Sequence, residues 1–313
     1  MTSGYVPARG PWDVDATLAS LAQHDVPGVH RTEGRTHTRV LAVGRQHLLI
    51  RLRLEEPGVR WQACCSGADG IDPALIQGLV TWWFDLATDA AAIDEVLEAD
   101  AHVGDHVRRR PGVRITRHPD IREGVLTTIL GQQVSLAAAR TFTGRLAAAY
   151  GTEIDHTACS EDSCAATASA PTRAFPESHR LVQIPQEPLR RTIGLTGARA
   201  RTLQAAAALL ADQAAGKPAF QPAPHSPVSG SLDLPLAGAV LDDLAKLPGI
   251  GPWTISILAL WAAGDADALP ASDGVLRRAL GGIGPREVTA LAESWRPYRS
   301  YAVVRLWAQA TMS

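Results

Sequence analysis

The stretch Leu247-Pro248-Gly249-Ile250-Gly251-Pro252-Trp253-Thr254 decides the fold prediction, because it places two glycines between two segments with helical patterns. The segment before it repeats leucine at helical spacing, which predicts a short amphipathic helix: Leu241, Leu244 and Leu247. The segment after it, residues 254–263, is apolar and compatible with a second helix. Glycine adopts a positive φ at little cost, so the glycine pair predicts a sharp turn between the two helices.

The turn leaves backbone N–H groups uncovered at the start of the second helix. A helix start carries partial positive charge and binds anions, including phosphate. We therefore predict a helix-hairpin-helix element that holds DNA phosphates and positions the protein without reading bases. The contacts are assigned to Gly249, Ile250, Gly251 and Thr254. The alternative is an ordinary turn between helices, because short glycine motifs often occur by chance.

Asp273, which stands twenty residues after Trp253, is the second informative residue. It ends the segment Leu269-Pro270-Ala271-Ser272-Asp273 and precedes an apolar-periodic run over residues 274–280. An aspartate in this place is usually the N-cap of the following helix. The alternative is a catalytic carboxylate, which the order of hairpin, helix, loop and aspartate favours.

This order resembles the helix-hairpin-helix DNA glycosylases, in which a hairpin is followed by Gly-Pro-Asp or a variant. Within them the chain is similar to the AlkA-type 3-methyladenine DNA glycosylases, well over residues 110–310 and more loosely over 10–100. The resemblance implies a mainly α fold with a small α+β N-terminal domain. It implies an N-terminal domain with a short antiparallel sheet at residues 1–105 and an all-α catalytic region at 106–313, with the hairpin at about 238–264.

The hydrophobic pattern of the N-terminal third fits such an α+β domain. Apolar residues alternate with polar ones in the strand-like segments and recur at helical spacing in the others. The predicted elements are a helix at 14–25, strands at 37–43, 47–54 and 59–65, and a helix at 72–86.

The resemblance also implies a site for removing a damaged purine, a reaction that builds positive charge on the sugar. A carboxylate beside the reacting carbon stabilises that charge, and this role falls to Asp273. The nucleotide must leave the duplex and enter a pocket. Trp253 and Trp307 are assigned to the pocket walls, where their faces attract a cationic base. Ile257 stands where the family has a third aromatic residue, and Gln132 is assigned to the same pocket. The alternative is that both tryptophans belong to the core.

Gln133 aligns with the family position whose side chain enters the duplex where the target base leaves. The family example has an apolar side chain there. A glutamine fills the gap less well, but it can hydrogen-bond to the base left without a partner. The alternative is that Gln132 and Gln133 only cap a turn.

Lysine usage separates two mechanisms within the family. No lysine follows Lys246, so the Schiff-base mechanism of the glycosylase/lyases, which places a lysine at the position of Trp253, is excluded. The resemblance therefore implies a monofunctional glycosylase. It also implies a monovalent cation, Na⁺ or K⁺, on the backbone carbonyls of Ala245, Leu247 and Gly249.

The composition excludes several other classes of protein. The formal net charge of −2 counts against a protein that coats nucleic acid by charge alone. No apolar run is long enough to cross a membrane. The four cysteines predict no disulfide framework and fit a reducing cytosol. Cys159 and Cys164, with His156 nearby, lack a fourth zinc ligand, and no cysteine follows Cys164, which excludes the iron–sulfur cluster of some relatives. We expect no cofactor.

Together these residues predict a monofunctional DNA glycosylase that excises alkylated purines, the 3-methyladenine and 7-methylguanine class, and leaves an abasic site for base excision repair. The expected partner is double-stranded DNA containing damaged bases, and the expected state is a cytoplasmic monomer that joins the nucleoid when bound to DNA. One alternative is a non-catalytic damage-binding protein on the same fold, which the retained Asp273 disfavours. Another is a glycosylase for oxidised or mismatched bases, which the missing lysine and cysteines disfavour.

Overall fold

A computed structural model describes residues 1–43, 46–65, 71–154, 171–214 and 238–312. The N-terminal part contains one helix, α1 (Val14–Gln23), and an antiparallel sheet. The five strands are β1 (Thr2–Pro7), β2 (His30–Glu33), β3 (Thr36–Val43), β4 (Gln46–Glu55) and β5 (Gly58–Cys65). Their order in the sheet is β1-β5-β4-β3-β2, so β4 lies at the centre. The first predicted helix and all three predicted strands are confirmed.

The two strands that the sequence did not predict, β1 and β2, lie at the two edges of the sheet. Strand β1 contains Gly4 and Pro7, which are usually turn residues, and it forms because it pairs with β5 along its whole length. Strand β2 is short and polar, and it pairs with β3. Neither strand has the apolar alternation on which a prediction from sequence depends.

Three short helices follow the sheet: α2 (Pro73–Trp83), α3 (Ala90–Glu98) and α4 (Gly104–Arg109). Asp72 is the N-cap of α2, and its Oδ1 accepts a hydrogen bond from Ala74 N at 2.9 Å. Helices α3 and α4 bury Leu97 and Val107 in one cluster with Trp295 and Leu306 from the end of the chain. The division at residue 105 therefore stays a prediction.

The helical part begins with α5 (Ile121–Gly131) and α6 (Leu136–Tyr150), separated by a four-residue turn. A small antiparallel sheet of two strands follows, β6 (Thr152–Glu153) and β7 (Arg173–Ala174). After it come three helices: α7 (Ser178–Gln183), α8 (Gln186–Ile193) and α9 (Gly197–Ala214). The composition of residues 152–175 and 214–231, rich in Ser, Thr, Ala, Gly and Pro, predicts two loops, which lie largely outside the described residues.

The predicted hairpin is present. Helix α10 (Gly238–Ala245) leads through a tight turn into α11 (Pro252–Leu258), which continues as a π-helical turn, Ala259–Ala263. The chain ends with α12 (Gly274–Ala279), α13 (Pro285–Leu291), a 3₁₀ turn (Ala292–Trp295) and α14 (Arg299–Met312). Among the described residues, no helix combines the length and the apolar character needed to cross a bilayer.

One cysteine departs from the prediction. Cys64, at the end of β5, is disulfide-bonded, whereas its neighbour Cys65 is a free thiol. Cys159 and Cys164 lie outside the described residues, so their predicted lack of a zinc site is not tested. Sequence spacing did not predict a disulfide at Cys64, because only the fold brings two distant cysteines within bonding distance.

Candidate active site

The turn of the hairpin uses its two glycines in different ways. Gly249 has a φ of +90°, and a Cβ atom there would lie 2.6 Å from Thr202 Oγ1. Gly251 has an ordinary extended backbone, with φ −106° and ψ 176°, and it is the N-cap of α11. A Cβ at Gly251 would meet no atom within 4 Å. Only Gly249 is therefore required by backbone conformation, and Gly251 leaves open space beside the helix start.

Side chains from neighbouring helices hold the hairpin in place. Thr202 Oγ1 donates to the carbonyl oxygen of Pro248 at 2.7 Å. Gln132, at the end of α5, donates through Nε2 to Gly249 O and to Thr254 Oγ1, each at 2.9 Å. Gln132 is not among the residues that line the cavity described below, so its place in the substrate pocket stays a prediction. Its amide anchors the hairpin instead.

Ile250 and Thr254 were both predicted to contact DNA. Their side chains are buried, with exposed fractions of 9% and 2%. The Ile250 side chain packs into the hydrophobic core of the helical part. Any contact of these two residues with DNA therefore involves backbone groups at the start of α11, where the first N–H groups of a helix have no carbonyl partner within it.

Asp273 is both the helix N-cap and the centre of the candidate site. Its Oδ1 accepts hydrogen bonds at 2.9 Å from the backbone N–H groups of Val275 and Leu276, which begin α12. Oδ1 also accepts from Trp307 Nε1 at 2.9 Å, and Oδ2 accepts from Trp253 Nε1 at 3.2 Å. The two interpretations of Asp273 are therefore compatible, because capping holds the carboxylate against both predicted pocket tryptophans.

The hydrogen-bond donors are shared unequally between the two carboxylate oxygens of Asp273, which identifies the oxygen that can still accept a hydrogen bond. Oδ1 accepts three hydrogen bonds and Oδ2 accepts one. A carboxylate offers about four acceptor positions, two on each oxygen. Oδ2 of Asp273 can therefore accept a further hydrogen bond from a water molecule or stabilise the developing positive charge of a sugar. The three hydrogen bonds to Oδ1 stabilise the fold instead.

Asp273 and the predicted pocket residues Trp253, Ile257 and Trp307 line one cavity of about 410 Å³. Trp261 lines it as well, and its ring lies edge-on to that of Trp307 with centroids 5.6 Å apart. The sequence analysis did not predict this role of Trp261. A signal for it existed, because residues 253, 257 and 261 are spaced four apart and therefore share one face of a helix.

The far side of the cavity carries polar residues that no sequence motif indicated. We call His24, His30, His118 and Glu123 the inner polar wall; all four line the cavity. Burial lowers the pKa of His118 to about 3 and raises that of Glu123 to about 7, although Arg39 donates to the Glu123 carboxylate at 2.5 Å. Burial also lowers the pKa of His24 and His30, so these imidazoles are neutral at pH 7.

Gln133 stands on the turn between α5 and α6, where the wedge residue was predicted. It is exposed and has a φ of +52°, in the left-handed region that few residues other than glycine adopt. Three residues later, Leu136 is 40% exposed at the start of α6 and lines the cavity. The turn and the start of α6 thus expose one polar side chain, Gln133, and one apolar side chain, Leu136, of which Leu136 lines the cavity.

Two groups of residues are candidate cation ligands. The Gly249 carbonyl accepts the Gln132 amide, and the Leu247 carbonyl accepts Ile250 N at 3.1 Å. A carbonyl oxygen has two lone pairs, so the cation on the hairpin stays a prediction. Asp25, His30 and His37 place possible ligand atoms within 4.8 Å of one another. His37 Nδ1, however, pairs with Thr32 Oγ1 at 2.9 Å. Burial lowers the pKa of His30 and His37, and the positive charge of Arg39 lowers both further and would repel a metal ion.

Comparison with known proteins gives this site a family. Residues 5–120 match the AlkA N-terminal domain, and residues 126–293 match the HhH-GPD superfamily base excision DNA repair protein family. Two solved structures share the fold. One is a 3-methyladenine DNA-glycosylase from Archaeoglobus fulgidus, with a TM-score of 0.74, 15% identity and 97% coverage of both chains. The other is an MBOgg1 structure in complex with a low-affinity DNA ligand, with a TM-score of 0.69 and 16% identity, covering 100% of this chain and 97% of that one.

Two relatives of known sequence extend the comparison. A probable bifunctional transcriptional activator/DNA repair enzyme AlkA of Mycobacterium tuberculosis is 32% identical over 307 residues, which are 96% of this chain but only 56% of that protein. The chain therefore spans about half the length of that relative. A DNA-3-methyladenine glycosylase 2 of Escherichia coli is 28% identical and covers 95% of this chain and 94% of its own. The match over residues 126–293 shows that the chain belongs to the HhH-GPD superfamily of base excision DNA repair proteins, in its AlkA-type branch.

Proposed function

We propose that the protein is a monofunctional DNA glycosylase that everts alkylated purines, of the 3-methyladenine and 7-methylguanine class, from double-stranded DNA and hydrolyses their bond to the sugar. The observation that carries the proposal is the Asp273 carboxylate, which the indole N–H groups of Trp253 and Trp307 hold at the cavity. Relatives named as 3-methyladenine glycosylases support the lesion class.

The chemistry follows from the charge that develops during the reaction. As the bond between C1′ and the base breaks, its electron pair leaves with the base and positive charge spreads over the sugar ring. Asp273 Oδ2, which keeps acceptor capacity, stabilises that charge. It also orients a water molecule, which adds to C1′ and passes a proton to the carboxylate. One carboxylate suffices when the leaving base is already cationic, because such a base needs no further proton.

The aromatic side of the cavity favours a cationic base. Trp253, Trp261 and Trp307 all line it. A cation that lies over an indole face gains about 0.5–2 kcal/mol. 3-Methyladenine and 7-methylguanine carry positive charge while they are still attached to the sugar, so they gain both from this attraction and from a weaker glycosidic bond.

DNA binding is assigned to the hairpin and the turn before α6. The open space at Gly251 lets a phosphate approach the N-terminus of α11, where the helix dipole favours an anion. Gln133 is exposed on the turn, and Leu136, three residues later, lines the cavity. We assign Gln133 to the gap that the everted nucleotide leaves, because its exposed side chain stands on a turn fixed between two helices.

The test is a panel of duplexes, each with one lesion, assayed for abasic sites at single turnover. The protein should release 3-methyladenine and 7-methylguanine and leave uncleaved abasic strands, because no lysine follows Lys246 to form a Schiff base. Cleavage of the strand by the protein itself would contradict the monofunctional mechanism. Tight binding to damaged duplexes without abasic sites would support the non-catalytic alternative.

A further inference from the structure

His24 is connected to the candidate catalytic carboxylate by two aromatic rings. Trp307 donates to Asp273, its ring lies 5.6 Å from that of Trp261, and the ring of His24 lies another 5.6 Å from Trp261, in an edge-on arrangement. All four residues line the same cavity. The rings of Trp261 and Trp307 therefore separate His24 from Asp273. His24 belongs to the side of the cavity that lies farther from the sugar.

The hydrogen bonding of His24 determines which ring nitrogen can accept. Nδ1 lies 2.7 Å from the carbonyl oxygen of Ser20, one turn earlier on α1. A carbonyl only accepts, so Nδ1 carries the proton and donates. Burial keeps the ring neutral by lowering its pKa. Nε2 is therefore the acceptor of the ring, and it makes no hydrogen bond within the part of the chain that the structure describes.

The neighbours of His24 make this part of the cavity polar. His118 donates its backbone N–H to the carbonyl of Trp261 at 3.0 Å. His30, His118 and Glu123 line the same cavity as His24. His30 Nδ1, His118 Nδ1 and Glu123 Oε1 are buried and make no hydrogen bond among the described residues.

We propose that His24 determines specificity within the proposed function, because its Nε2 accepts a hydrogen bond from an N–H group on the edge of the everted base that lies farthest from the sugar. This contact favours 3-methyladenine, whose 6-amino group donates to Nε2, over hypoxanthine and 7-methylguanine, whose oxygen at that position can only accept.

Free bases test this hydrogen bond without the chemistry of bond cleavage. The pair is 3-methyladenine and 3-methylpurine, which differ only in the exocyclic amino group. Their affinities are measured by calorimetry for the protein bound to DNA that carries an abasic-site analogue. For each protein, the preference is the affinity for 3-methyladenine divided by the affinity for 3-methylpurine. This preference should be about tenfold larger in the wild type than in a variant without the acceptor, as expected for one buried hydrogen bond.

Three variants make the comparison specific. His24→Phe removes the acceptor and keeps a flat ring, so the tenfold preference should disappear. His24→Gln places an amide oxygen near the position of Nε2 and should restore part of the preference. His179→Phe is the matched control, because His179 is exposed and lies outside the cavity. Thermal unfolding of each variant separates a local effect from a loss of folding.

The outcomes separate this inference from the proposed function. An unchanged preference in a folded His24→Phe variant, or no preference in the wild type, would overturn the role of His24. Excision of 3-methyladenine by the wild type in the same preparation would leave the glycosylase proposal standing. If His24→Phe does not fold, a His24→Gln variant that loses the preference entirely overturns the inference as well.

Discussion

Trp307 Nε1 donates a hydrogen bond to Asp273 Oδ1 across 2.9 Å, although the two residues are 34 positions apart in the sequence. This contact joins the last helix of the chain to the residue that caps α12. Within the described residues, the second carboxylate oxygen, Oδ2, accepts a hydrogen bond from Trp253 only. The carboxylate is therefore held from two sides, and its orientation depends on packing between the hairpin and the C-terminal helix.

Gly251→Val should weaken DNA binding without destabilising the fold. A Cβ at this position meets no atom within 4 Å, and the backbone is extended, so a side chain is accommodated. It would, however, occupy the space through which a phosphate approaches the N–H groups of α11. Binding should weaken equally for all sequences, and its salt dependence should decrease. Gly238→Val, which also adds a side chain in open space, is the control. Normal binding by Gly251→Val would rule the hairpin out as the anchor.

Adjacent glutamines should respond differently to truncation. Gln132→Ala removes two hydrogen bonds to the hairpin, so it should lower the free energy of unfolding by about 1–3 kcal/mol. Gln133→Ala removes an exposed side chain and should leave stability within about 0.5 kcal/mol while it slows excision. Urea unfolding and single-turnover excision measure the two effects. The reverse pattern would contradict both assignments.

Trp253→Ala should lower the excision rate of a cationic lesion about tenfold or more, because about 1.4 kcal/mol corresponds to a factor of ten. The ratio of rates for 7-methylguanine and hypoxanthine should also fall, since the neutral base gains less from an indole face. Trp253→Phe keeps a ring and removes only the N–H bond to Asp273, so it isolates that bond. A wild type that prefers the neutral lesion would refute the attraction of cations by the aromatic wall.

The free energy of unfolding at acidic pH should depend on His118. Burial lowers its folded-state pKa from 6.5 to about 3, so the unfolded chain binds a proton that the folded protein does not. The resulting stability is fully present above pH 6.5 and is lost as the pH falls towards 3. Glu123 acts in the opposite direction between pH 4.5 and 7, because burial raises its pKa to about 7.

His118→Gln should therefore reduce by about one the number of protons taken up on unfolding near pH 5. The measurement is the slope of the free energy of unfolding against pH, obtained from urea titrations. His179→Gln, which changes an exposed histidine, is the matched control. An unchanged slope for His118→Gln would mean that His118 is protonated in the folded protein.

The parts of the site that the sequence predicted are those with local causes. Asp273 caps the helix that begins with the next residue, and the glycines of the hairpin act within one turn. Both leave a recognisable spacing in the sequence. The anchoring of the hairpin by Gln132 was missed because it joins residues 117 and 122 positions apart.

The inner polar wall has no sequence signature for the same physical reason. His24 lies at the end of α1, His30 begins β2, His118 precedes α5 and Glu123 lies on it. Packing of the sheet against the helical part brings these residues to one cavity. A single histidine in each segment reads as an ordinary half-buried residue, and only the assembled structure shows their common surface. The edge strands β1 and β2 escaped prediction likewise, because they depend on their partners.

The most direct test of the central claim is Asp273→Asn, measured as single-turnover excision of 7-methylguanine. Asparagine caps a helix as well as aspartate does, so α12 should form and the thermal midpoint should change little. Asp72→Asn, which changes the N-cap of α2, is the matched control. The account predicts that Asp273→Asn loses excision by several orders of magnitude and still binds DNA with an abasic-site analogue. Near-normal excision by a folded Asp273→Asn variant would contradict it and leave Asp273 with the capping role alone.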